Sequence, residues 1–271
     1  MPTKILPPTA EAYQYPLLIK TLLSTSLVYA PQQRILFRDR GGYTYREFGQ
    51  RVCRLAHALG RLGVSAGDTV AVMDWDSPRY LECYFAVPMI GAVLHTVNIR
   101  LSSEQLLYTI NHAEDDVILI HHDFLPMLDA IRDKLTTVKK VVLLHDDAAA
   151  APYGDGEYEQ LLAAEPDSYD FPDFDENSVA TTFYTTGTTG LPKGVYFTHR
   201  QLVLHTHGIL AALCANDTSA RVGSGDIYMP MTPMFHVHAW GMPYLATLLG
   251  CRQVYPGRYE PAMLLKLVAT E

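Results

Sequence analysis

Three observations predict an α/β protein built on mainly parallel sheets covered by helices. Strand and helix patterns alternate along most of the chain. The strand segments are continuous apolar runs, as in strands buried on both faces. The helical segments between them carry one-sided apolar stripes, which must pack on something. At 271 residues and 48% hydrophobic composition, the chain can bury one large core or two ordinary ones. A formal charge of −8 leaves no basic surplus for nucleic acid.

The elements follow in order. Residues 44–63 read as a helix with both ends marked. Thr44 and Glu47 form a capping-box pattern, and Gly63 supplies a stop. Phe48, Val52, Leu55, Leu59 and Leu62 recur at helical spacing. TVAVMD (69–74) is a buried strand. Ser77 and Pro78 open a second helix, which Pro88 should end or kink. AVLHTV (92–97) is a strand, and Ser102 with Gln105 caps a third helix. Strands at 117–120 and 140–145 flank a helix near 124–135. An excursion at 146–156 precedes EPDSYDFPDFDE (165–176), whose six acidic and no basic residues predict a solvated loop. Strand pattern resumes at Val179. A helix near 200–213, a strand near Ile227, a helix near 239–249 and the strand RQVY follow. Met263, Leu264, Leu267 and Val268 have helical spacing with no stop signal after them. The expected organisation is a first α/β subdomain over 1–170 and the start of a second over 171–271, cut from a longer protein.

Cys53, Cys83, Cys214 and Cys251 form no CxxC pair and read as reduced thiols of a cytoplasmic protein. MPTKILPPTA lacks the apolar core and small-residue cleavage site expected of a signal peptide, and the sequence holds no run of 18 apolar residues, which leaves peripheral membrane contact open. His236 and His238 are two apart, as are His205 and His207, a spacing that does not share a helix face. No cysteine or carboxylate stands near them at zinc-ligand spacing, so no transition-metal site is expected. His121 and His122, at a strand end, read as surface.

The segment FYTTGTTGLPKGVYF (183–197) differs from any ordinary turn. Gly187 and Gly190 permit positive φ and close backbone approach, and successive N–H groups in such a loop make an anion-binding nest. Thr185, Thr186, Thr188 and Thr189 add hydroxyl donors, and Lys193 adds a cation stiffened by Pro192. A polyphosphate suits this set of donors; a hairpin turn needs only one or two such residues. The Walker pattern G-x-x-x-x-G-K-[ST] fails, because Pro192 precedes the lysine, Gly194 follows it, and GVYFT reads as a strand rather than a helix.

YTTGTTGLPKG resembles the phosphate-binding signature of the adenylate-forming superfamily. GVSAGDTVAVM, YFAVPMIGAVLHTVNIRLSSEQLLYTINHAE and MFHVHAWGMPYLATLLG are similar to fatty acyl-CoA synthetases in particular. The likeness runs from about Tyr43 onward and implies the amino-terminal portion of a medium- or long-chain fatty acyl-CoA synthetase, with ATP, Mg²⁺ and CoA as its cofactors and cosubstrates. It implies that Thr185, Thr186, Gly187, Thr188, Thr189, Gly190 and Lys193 embrace the β- and γ-phosphates. The Thr185 hydroxyl would help hold Mg²⁺ together with a glutamate outside this chain. His236 would sit beside the carboxylate and α-phosphate. Trp240 would gate an acyl tunnel, with Phe235 and Val237 beside it. Two plainer readings compete: Trp240 as a core aromatic and His236 as a hydrogen-bonded core histidine. His238 receives no catalytic role.

The resemblance further implies a homodimer acting on fatty acid, ATP and CoA. Its adenine-contacting motif, ribose-holding aspartate and mobile lysine lie outside these residues, so the chain alone is expected to be inactive. Two other functions fit the same features. One is a non-catalytic nucleotide- or acyl-binding module, the other an adenylate-forming enzyme that loads a carrier-protein thiol.

Overall fold

The computed structural model describes residues 4, 7, 9–146, 153–185, 190–215 and 221–271. Its centre is a six-stranded sheet of β3 (Thr69–Met73), β4 (Val93–Thr96), β5 (Asp115–His121), β6 (Lys140–Leu144), β7 (Val179–Thr185) and β8 (Lys193–Thr198). The spatial order is β6-β5-β3-β4-β7-β8, and every pair is parallel except β7 with β8. A smaller sheet runs in the order β2 (Gly42–Thr44), β1 (Arg34–Phe37), β10 (Arg252–Tyr255), β9 (Ile227–Tyr228). All five residues of β3 are buried, as the apolar run predicted.

The helices start where the capping residues stand. Thr44 and Ser102 make complete capping boxes with Glu47 and Gln105, opening α2 (Tyr45–Arg61) and α4 (Ser103–His112). Ser77 caps α3 (Pro78–Met89), which ends one residue after Pro88. Thr198 caps α7 (His199–Cys214) with Gln201, a box the sequence reading overlooked.

Every residue of α3 is buried, Glu82 included. A buried carboxylate is tolerated only when paired. Glu82 accepts from Arg51 Nε at 2.6 Å and the Tyr158 hydroxyl at 2.6 Å, and a short bond from Tyr43 completes the set.

Four expectations need correction. The helix near 124–135 is broken: α5 covers only Leu125–Asp129, and at Ile131 the backbone leaves the helical region with φ −122°. The helix near 239–249 starts later, as α8 (Met242–Leu249), because the residues before it turn the opposite way. The boundary near 170 does not divide the sheets. Each sheet takes strands from both sides of it, since β7 pairs with β4 and β10 pairs with β1. Finally, His121 is buried rather than on the surface, because β5 lies between β3 and β6 and pairs to its last residue, His121 with Leu144.

The acidic segment is mostly exposed but tied down. Asp173 pairs with Lys20 at 2.6 Å, and Glu176 accepts the Leu17 N–H at 2.7 Å. A helix, α1 (Lys20–Tyr29), follows that anchor, and α6 (Tyr158–Ala163) packs on α2. The last helix, α9 (Pro261–Thr270), places Leu267 against Leu36 and Val254 of the small sheet. Among the described residues no helix is long and apolar enough to cross a membrane, and all four cysteines are free.

Candidate active site

The threonine-glycine loop joins β7 to β8, two antiparallel strands in which Thr185 stands opposite Lys193. It therefore leaves the sheet at the carboxyl end of a parallel strand, the edge where open α/β sheets bind ligands. Thr185 is exposed, and its hydroxyl makes one long bond, 3.5 Å to the Lys193 carbonyl. Lys193 is exposed and forms no ion pair among the described residues. Gly190 has φ +121° with open space where a side chain would stand. Thr186, Gly187, Thr188 and Thr189 lie outside the described residues.

Beneath the loop, Tyr184 is buried and its hydroxyl meets His112 Nδ1 at 2.7 Å. The Tyr184 ring lies 5.2 Å from that of His95, whose Nδ1 is 2.8 Å from the fully buried Asp115. This polar layer was missed in the sequence, because its members come from β4, α4, β5 and β7 and show no common spacing.

The second predicted cluster, Pro233 to Trp240, is fixed at its start by Asp76. Asp76 Oδ1 accepts the Met234 N–H at 2.8 Å, its other oxygen accepts from Tyr259, and its carbonyl accepts the Gly257 N–H at 2.8 Å. A single side chain and its carbonyl, three positions past the end of β3, thus bind both the cluster and the segment following β10. Burial pushes the Asp76 carboxyl up to about 7, with the Met234 and Tyr259 bonds opposing. Thr96 Oγ1 reaches the Phe235 carbonyl at 3.4 Å, and Phe235 is buried beneath the Arg100 guanidinium.

After His236 the backbone turns left-handed. Val237, His238, Ala239 and Trp240 have φ of +48°, +51°, +47° and +59°, and Gly241 follows at +74°. Each non-glycine residue there costs about 1–2 kcal/mol, so tertiary contacts must hold the turn. Those contacts are visible. His238 is buried with its ring 5.1 Å from Phe183, 5.9 Å from Phe197 and 6.0 Å from Tyr84. His205 Nε2 lies 3.2 Å from the Trp240 carbonyl. Gly241 leaves room for that imidazole, which would stand 2.8 Å from an added Cβ.

Because Phe183 and Phe197 belong to β7 and β8, the turn is clamped onto the hairpin that carries the threonine-glycine loop. Burial, then the nearby His95, lowers the His238 imidazole to about 3, so it is neutral at physiological pH. Val237 is half-buried, while His236 and Trp240 face outward, Trp240 with 62% of its surface exposed. The His236 side chain makes no hydrogen bond among the described residues. Among the described residues neither side chain is buried.

A doubly covered parallel sheet with a glycine- and threonine-rich hairpin at its carboxyl edge defines an α/β protein of non-Walker type. Residues 25–271 match the family model described as AMP-binding enzyme. The chain belongs to that family. It is 47% identical over 225 residues to a long-chain-fatty-acid–CoA ligase of Thermus thermophilus, covering 83% of this chain and 40% of that protein. It is 42% identical over 231 residues to a medium-chain-fatty-acid–CoA ligase of Ectopseudomonas oleovorans, covering 84% and 41%. The chain thus spans about 40% of the length of these curated relatives. Its fold matches the crystal structure of a putative long-chain-fatty-acid CoA ligase from Rhodopseudomonas palustris. There the TM-score is 0.79 at 22% identity, over 94% of this chain and 61% of that one.

Proposed function

We propose that the protein containing this chain activates a medium- or long-chain fatty acid in two steps. A carboxylate oxygen attacks the α-phosphorus of ATP, forming an acyl-adenylate and releasing pyrophosphate. The CoA thiol then attacks the acyl carbonyl, forming the thioester and releasing AMP. The observation that carries this reading is the joint placement of two exposed clusters. Thr185 and Lys193 close the loop at the sheet edge, and His236 and Trp240 stand on a turn stacked against the same hairpin. The identities to fatty-acid–CoA ligases support the substrate class.

The residues act by position and charge. Lys193 meets the β- and γ-phosphate charge together with the loop amides and hydroxyls, which stabilises departing pyrophosphate. The exposed Thr185 hydroxyl, with one long bond, is free to ligate Mg²⁺, which when bound neutralises phosphate charge. Its carboxylate partner belongs outside these residues. His236 donates a hydrogen bond to charge developing at the carboxylate and α-phosphate. Trp240, a large amphipathic side chain on a strained turn, opens or closes the acyl path, with Phe235 and Val237 as its wall. The protein is cytoplasmic and homodimeric in this reading, and residues 1–271 alone do not turn over.

A substrate panel on the full-length protein tests it, with pyrophosphate release and thioester formation measured across fatty, short and aryl acids. The expected result is ATP- and CoA-dependent activity highest on fatty acids of medium or long chain. Preference for aryl acids, or acyl transfer to a carrier-protein thiol but not to CoA, would overturn it.

A further inference from the structure

Two strands away from β7, the same carboxyl edge of the large sheet carries a second group of chemical side chains. Asp74 and Trp75 follow β3, His121 ends β5 with His122 and Asp123 next, and His145 and Asp146 follow β6. All of them but His145 line a cavity of about 130 Å³, whose wall holds four carboxylates and three guanidiniums. The guanidiniums are engaged: Arg38 pairs with Glu260, Arg79 with Asp146, and Arg258 lies over the Trp75 ring.

Donor atoms of His121, His122 and Asp123 lie within 4.8 Å of one another. His122 Nε2 is 3.0 Å from Asp123 Oδ1, and His121 Nδ1 is 3.7 Å from Asp123 Oδ2. Tetrahedral zinc with bonds near 2.0–2.1 Å separates its ligands by about 3.3 Å, so His122 Nε2 and Asp123 Oδ1 already stand close to ligand separation, and the His121 nitrogen has to close in from within 4.8 Å. The supporting contacts are also of the kind metal sites use. Trp75 Nε1 donates to Asp123 Oδ2 at 2.8 Å, leaving Oδ1 on the His122 side. His121 Nδ1 accepts the Asp123 N–H at a long 3.3 Å, which puts the ring proton on Nε2, 3.5 Å from Asp146 Oδ1. The ring of His145 packs against that of His122, 4.3 Å away and tilted by 37°.

We infer that His121, His122 and Asp123 form a binding site for one divalent transition-metal ion of the zinc and nickel class. Two imidazoles and a carboxylate select such ions over magnesium or calcium, which take oxygen ligands. The site ligates through His121 Nδ1, replacing its long bond to the Asp123 amide, together with His122 Nε2 and Asp123 Oδ1. Water or a fourth side chain completes the shell.

The experiment is a titration of the untagged chain with Zn²⁺ and Ni²⁺ by calorimetry, and with Co²⁺ by visible absorption. One saturable equivalent is expected, with a Co²⁺ spectrum of tetrahedral intensity. His122→Ala and Asp123→Asn should each weaken binding at least tenfold. Trp75→Phe, which removes the indole bond and leaves a smaller ring beneath Arg258, should weaken it about tenfold. His57→Ala, on α2, should change nothing. Circular dichroism verifies that each variant is folded. Absence of saturable Zn²⁺ and Ni²⁺ binding, or undiminished binding by both His122→Ala and Asp123→Asn, overturns the inference. The readout is metal affinity, so it stands or falls apart from the acyl-activation reading.

Discussion

The α2–α3 layer and the turn at 237–241 are built on opposite terms. In the layer, local preference and packing agree. Thr44 and Ser77 start the helices, apolar stripes face inward, and Phe85 buries its ring between Phe48 at 5.7 Å and Tyr244 at 5.4 Å. In the turn they disagree, since four L-residues hold a left-handed backbone only because His238 packs edge-on against Phe183 and Trp240 is tethered to His205. The difference teaches where this molecule concentrates stability and where it uses stability to aim side chains.

The largest expected effect lies in the layer. Phe85→Ala should cost about 3–5 kcal/mol of folding free energy, read from denaturant midpoints; a loss below 1 kcal/mol would show that the layer is loosely packed. The turn should respond in activity instead. His236→Ala in the full-length protein should slow adenylate formation by about 10²–10³-fold, with an unchanged unfolding midpoint because the side chain is exposed. Equal losses in both measurements would erase the contrast.

A third measurement follows pH. Asp76 is buried with its carboxyl raised to about 7. Because the folded state holds that proton more tightly than the unfolded chain, stability from this group is full below about pH 4. It declines as pH rises to about 7. Asp76→Asn should therefore be the more stable protein at pH 8, by on the order of 2–4 kcal/mol, with the advantage shrinking toward pH 4. His238 titrates in the other direction. Its imidazole is lowered to about 3, so its neutral form supports folding above about pH 6.5 and that support is lost between 6.5 and 3. His238→Phe should flatten the acid limb. The smallest effect is a gain. Ala239→Gly relieves one left-handed residue at the cost of a freer unfolded chain, for a net stabilisation of up to about 1 kcal/mol, visible as a slightly raised midpoint.

The same contrast explains what could be read before the fold was known. Capping boxes at Thr44 and Ser102, the apolar run at β3 and the Thr185–Lys193 hairpin were legible because each is decided by neighbours in sequence. The left-handed turn was not, since Val237 and Ala239 carry no signal for positive φ, and only His205 and the Phe183–Phe197 pair impose it. Asp76 and the Tyr184–His112–His95–Asp115 layer stayed hidden for a similar reason, their partners lying tens of residues away or more. The misplaced boundary at 170 arose from composition: an acidic stretch looks like a linker, whereas Lys20, Leu17 and Arg200 fasten this one to the body.

That interleaving has a consequence for how the chain is made. In the small sheet, Ile35 pairs with Gln253, so β1 emerges from the ribosome long before its partner. At about 5–20 residues per second, it waits roughly 10–40 s with one edge covered only by β2. The large sheet meets a shorter delay, because Leu94 of β4 pairs with Thr181 of β7, 87 positions later. Contacts this distant in sequence form slowly. The amphipathic helices that shield β3, β4 and β5 in the meantime therefore serve as a temporary wrapping for an unfinished protein.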